Sequence, residues 1–74
     1  MRTLLRKSST GAYFGGADRW TANPEDAVDF KMIDRALDFI DKWQLRDVEV
    51  AFAFRKGGVR VVPLERIRIL FAQP

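Results

Sequence analysis

Asp47-Val48-Glu49-Val50-Ala51-Phe52-Ala53-Phe54-Arg55, then Lys56-Gly57-Gly58 and Val59-Arg60-Val61-Val62, is the stretch on which the fold turns. Val48, Val50, Phe52 and Phe54 fall on one face of a period-two pattern, and Glu49, Ala51, Ala53 and Arg55 on the other. That alternation predicts a half-buried strand whose large apolar face meets a second layer. Gly57-Gly58 reads as a hairpin turn, with residues 59–62 returning as the next strand. Pro63 has no N–H to give a ladder, so it ends this strand or marks it as an edge.

Upstream, Met32, Ile33, Ala36, Leu37, Phe39, Ile40 and Trp43 repeat with a period near 3.6, which predicts a helix over residues 30–43 with one apolar face. Asn23-Pro24-Glu25-Asp26 before it has the residues of a helix start: an Asn cap, a Pro at the first helical position and acids at the positive end of the dipole. A short helical turn over 24–28 is expected there. Residues 3–7 alternate as a strand. Ser8-Ser9-Thr10-Gly11 is a turn cluster, and Ala12-Tyr13-Phe14 reads as a second strand ended by Gly15-Gly16. Arg19-Trp20-Thr21 fits either a further strand or a loop packed over the core. Residues 64–72 fit both periods. The alternation Arg66-Ile67-Arg68-Ile69 favours a strand, while Leu64, Ile67 and Phe71 also suit a helix. The expected fold is therefore one α+β domain over residues 1–74. An antiparallel sheet of four or five strands packs on one main helix, in the order β-β-α-β-β with a further strand at the end.

The chain has 74 residues with neither cysteine nor histidine. Disulfides and thiolate metal sites are ruled out, and the commonest general base and metal ligand are missing. With 47% hydrophobic residues, packing must carry the fold. Self-association would add to its stability by mass action. No stretch approaches the ~20 apolar residues of a membrane span. The start, Met1-Arg2-Thr3-Leu4-Leu5-Arg6-Lys7, lacks the apolar run of a secretion signal, so a cytoplasmic location is expected.

The net charge of +3 is unevenly spread, with residues 1–17 carrying +3, residues 18–49 carrying −4 and residues 50–74 carrying +4. Asp34, Asp38 and Asp41 share a helix flank with Lys31, Arg35 and Lys42. A solvated face with intrahelical pairs accounts for them better than a cation site, which needs ligands converging from loops. The glycines match no phosphate-loop spacing and read as turn residues. These features point away from an enzyme and from any cofactor, metal or small-molecule ligand.

Two binding readings remain. A basic sheet carrying Arg2, Arg6, Arg55, Arg60, Arg66 and Arg68 beside Tyr13 and Trp20 would suit single-stranded nucleic acid. The same asymmetry between basic strands and acidic helix would suit docking to a protein, or of the chain to itself. The second is favoured: a non-enzymatic protein-binding or assembly module, with nucleic acid as the alternative. Trp20 lies outside the clear periodicities. It is either a lid on the core or a binding aromatic, with Tyr13 and Arg19 as its expected companions. Membrane attachment is not expected, because the polar face of the amphipathic helix is acidic.

The run Gly11-Ala12-Tyr13-Phe14-Gly15-Gly16, with Arg19-Trp20-Thr21, Ala27-Val28-Asp29-Phe30 and Ala36-Leu37-Asp38-Phe39-Ile40, resembles a loose group of small uncharacterised bacterial proteins. The resemblance covers about the first two-thirds of the chain. It implies a bacterial intracellular domain and assigns no residue a role.

Overall fold

The computed structural model describes residues 1–71. Five antiparallel strands form one sheet: β1 (Arg2–Lys7), β2 (Tyr13–Gly16), β3 (Arg19–Thr21), β4 (Val48–Ala53) and β5 (Val59–Val62). Helix α1 (Ile33–Trp43) follows β3, and helix α2 (Leu64–Phe71) follows β5. The strand order across the sheet is β3-β2-β1-β4-β5, so the first strand lies at the centre. Both helices lie on one face, α1 over β1 and α2 over β4.

The central strand is buried on both sides. Leu5 joins Ala36, Ile40, Val48, Val50 and Ile67 in the main core beneath the helices, while Leu4 joins Ala27 and Ala51 on the opposite face. That second face is covered by the Asn23–Ala27 segment. Here Asn23 caps a single 3-10 turn, Pro24–Asp26, by accepting from the Glu25 N–H at 3.0 Å. The Arg2 guanidinium fastens the segment by donating to the carbonyls of Pro24, at 2.7 Å, and Ala27.

Between β1 and β2 the ladder is short, with Arg6 opposite Tyr13 as its paired register. Beyond that point residues 28–30 fill the gap. The Val28 N–H donates to the Phe14 carbonyl at 2.9 Å, and the Phe30 N–H to the Thr3 carbonyl at 2.8 Å. The Asp29 carboxylate accepts from the N–H groups of Thr3, at 2.9 Å, and Lys31, at 2.8 Å. It thereby supplies the central strand with an acceptor that no neighbouring strand provides. This tie explains why the helix begins at Ile33 and not at residue 30. Phe30 is held strand-like by Thr3, and Lys31 takes a φ of 67°, which a helix cannot include.

Two further expectations change. Gly15-Gly16 does not end the hairpin. β2 continues through Gly16, turns at Ala17-Asp18 and returns as β3, so residues 19–21 supply the fifth strand. The tail expected to be a strand is helical over residues 64–71, and Arg66 and Arg68 therefore stand on α2. The reason lies in burial: Ile67, only 2% exposed, plugs the helix-side core from α2. β4 ends at Ala53, leaving Phe54 exposed in the hairpin turn.

Candidate functional site

Two helices cannot cover five strands. Strands lie about 4.8 Å apart and packed helices 8–10 Å apart, so each helix covers about two strands. With α1 on the β1–β2 side, where its Phe39 meets Phe14 of β2, and α2 over β4, the uncovered strip lies at β3 and the outer side of β2. Alternation decides what faces it. Phe14 is paired with Trp20, so both rings lie on the helix side, packed against the main core. Tyr13, paired with Thr21, lies on the opposite side and packs against the Leu4–Ala27–Ala51 cluster.

The strip forms a groove of about 470 Å³ lined by Phe14, Ala17, Asp18, Trp20, Phe39, Trp43 and Leu45. Its rings are continuous. Trp20 meets Phe14 edge-on at 5.5 Å, Phe14 meets Phe39 at 5.0 Å, and Phe39 meets Trp43 at 6.1 Å. One wall is the hairpin turn at Ala17-Asp18 and the other is the last two turns of α1. Phe39 and Trp43 occupy successive positions of one i, i+4 row on that helix, with Arg35 one turn before them. Trp43 is 61% exposed, although it closes the apolar stripe of α1. The helix stops just beyond it, where Gln44 adopts a left-handed φ of 51° and Leu45 turns back under the groove. The Lys7 ammonium lies 4.9 Å from the centre of the Trp20 ring, a cation–π distance.

Trp20 therefore lies at the floor of the groove, half-buried, as both a core contact and a lining residue. Its companions are Phe14, Phe39 and Lys7. Tyr13 and Arg19 flank Phe14 and Trp20 in sequence, so alternation turns them to the other face. Reading residues 19–21 as a strand would have revealed this. Phe39 and Trp43 carried no separate signal, because core and groove residues obey the same 3.6-residue period.

The arginines do not gather on one surface. Arg55 is exposed in the β4–β5 turn, and Arg60, opposite Phe52, is exposed on the edge strand β5. Arg66 is exposed on α2, and Arg68 on the same helix reaches Asp41 of α1 at 2.6 Å. Arg2 serves the carbonyls of Pro24 and Ala27, and Arg6 pairs with Glu49 on the face away from the helices.

Electrostatically the marked group is Asp29. Its partial burial favours the neutral acid, but the N–H groups of Thr3 and Lys31 and the charges of Arg2 and Lys31 outweigh this. The carboxyl is held below its ordinary value of 3.8. Asp29 belongs to the seam between β1 and the 28–31 segment, not to the groove.

Among the described residues, no helix is long and apolar enough to cross a membrane. No protein-family pattern, no curated protein and no solved structure matches the chain.

Proposed function

We propose that the chain is a non-enzymatic protein-binding module whose contact surface is the aromatic groove between the β2–β3 hairpin and the end of α1. One observation carries this reading: Trp43, 61% exposed, sits at the rim of a continuous array of four rings. Tryptophan is the side chain most enriched at binding hot spots, and its exposure beside other rings leaves apolar area that a partner would cover. The absence of histidine and cysteine from the sequence supports a binding role over catalysis. Nucleic-acid binding has less support. Arg2, Arg6 and Arg68 are engaged within the fold, and the exposed Arg55, Arg60 and Arg66 are spread over a turn, an edge strand and a helix.

A photo-crosslinking residue placed at position 42, beside Trp43, tests the reading in cells, with position 56 in the β4–β5 turn as the control. Protein adducts that form at 42 and not at 56 are the expected result. Adducts equal at both positions, none at either, or adducts to nucleic acid alone would overturn it. A product of twice the chain's mass would identify self-association, and any other mass a different protein.

A further inference from the structure

The geometry points to an occupant for the groove: an amphipathic helix of another protein, its apolar stripe flanked by carboxylates. This rests on the groove being a protein-binding surface, and it deepens that reading by naming the partner's chemistry.

The helix layer stops at β2, where Phe39 of α1 meets Phe14, and a neighbouring helix 8–10 Å from α1 would lie over β3. A helix laid beside α1 would complete the layer, placing its apolar stripe on Phe14, Trp20, Phe39 and Trp43. Lys7 lies over Trp20, Arg35 precedes Phe39 in its row, and Lys42 is three residues past Phe39. Among the described residues, none of these three cations has a carboxylate within salt-bridge reach, where Arg6 and Arg68 do. The charged side chain in the lining itself is Asp18, and Asp38 lies one turn before Lys42. Cations outnumber them, so carboxylates on the visiting helix are favoured and ammonium groups are opposed.

A second copy of the chain is a poorer fit. The outer face of α1 carries Asp34, Arg35, Asp38, Asp41 and Lys42, all exposed. The described side chains of α2 expose Glu65 and Arg66 beside Ile69.

The test uses two fluorescein-labelled helical peptides of roughly 18 residues, or five turns. They share a Leu stripe and differ in whether Glu or Lys flanks it. Anisotropy is followed on titration with the full chain at physiological salt. The Glu peptide should bind at least ~10-fold more tightly than the Lys peptide. Trp43→Ala, checked for folding by circular dichroism, should abolish that binding. Lys7→Glu combined with Lys42→Glu should reverse the preference toward the Lys peptide, a gain that misfolding cannot imitate. Equal affinity for the two peptides, binding to neither, or binding indifferent to Trp43→Ala would overturn the inference. So would a concentration-dependent doubling of mass in sedimentation that Trp43→Ala removes, since it would give the groove to a second copy. Protein adducts at position 42 combined with failure of the peptide test would leave the binding reading intact and remove only the acidic helix.

Discussion

Ala17 and Asp18 both have positive φ, 47° and 64°, in the two-residue turn between β2 and β3. Hairpins prefer such turns because their twist matches that of the strands, but a side chain with a Cβ is strained there, and Asp tolerates it better than Ala. Ala17→Gly should therefore stabilise the protein by about 0.5–1 kcal/mol, read as a higher urea midpoint at unchanged slope. A loss of stability would show that the alanine methyl contributes more by packing in the groove wall than it costs in strain. Asp29 gives a prediction with a definite pH sign. Its folded-state carboxyl lies below the ordinary value of 3.8, so its ionised form stabilises the fold above that pH. The contribution is lost as pH falls through the depressed folded value. In urea titrations from pH 6 to pH 2, the wild-type midpoint should drop more steeply below about pH 4 than that of Asp29→Asn. The variant should already be weaker at pH 7. Parallel curves would mean that the carboxylate is not the acceptor holding Thr3. No sequence pattern announced this role, because Asp29 acts on a strand 26 residues away. The same tertiary bond shortened the expected helix by its first turn.

At the scale of elements, α2 exposes the limit of periodicity. Arg66-Ile67-Arg68-Ile69 obeys both the two-residue and the 3.6-residue pattern, and local spacing cannot choose between them. What chooses is the helix-side core, which accepts Ile67 over β4 beside Val50 and Leu5. Residues 48–53 were legible because one face is uniformly large and apolar. Even so, Ala51 is as buried as Val50, since Ala27 covers the other face from a segment far away in sequence. Small side chains on the supposed polar face were the sign of that second layer. The docking of α2 has a measurable consequence. Ile67→Ala removes a nearly fully buried side chain and should cost about 2–5 kcal/mol. Arg68→Ala breaks only an exposed ion pair with Asp41 and should cost less than about 0.5 kcal/mol, shrinking further with added salt. If Ile67→Ala were as mild as Arg68→Ala, α2 would not be packed on β4 as the structure has it.

For the molecule as a whole, stability and binding are assigned to different aromatic residues of one array, so they should separate under mutation. Phe39 is half-buried against the core and touches three other rings, with centroids at 5.0, 5.2 and 6.1 Å. Trp43 ends the array with most of its surface in solvent. Truncating Phe39 therefore removes core contacts as well as groove wall, and should cost up to the ~3–5 kcal/mol of a buried aromatic. Truncating Trp43 should cost no more than about 0.5 kcal/mol, the range of surface changes that break no network. If the groove is the contact surface, Trp43→Ala should nevertheless remove partner adducts at position 42, because hot-spot energy concentrates in such anchors. Thermal melting and crosslinking on the same two variants read both quantities. A Phe39→Ala protein that melts early while Trp43→Ala melts as wild type, yet fails to crosslink, is the expected pair of results. A Trp43→Ala protein that melts several degrees early would place the indole in the stabilising core despite its exposure. A Trp43→Ala protein that keeps both its melting temperature and its adducts would leave the exposed ring without a role in either.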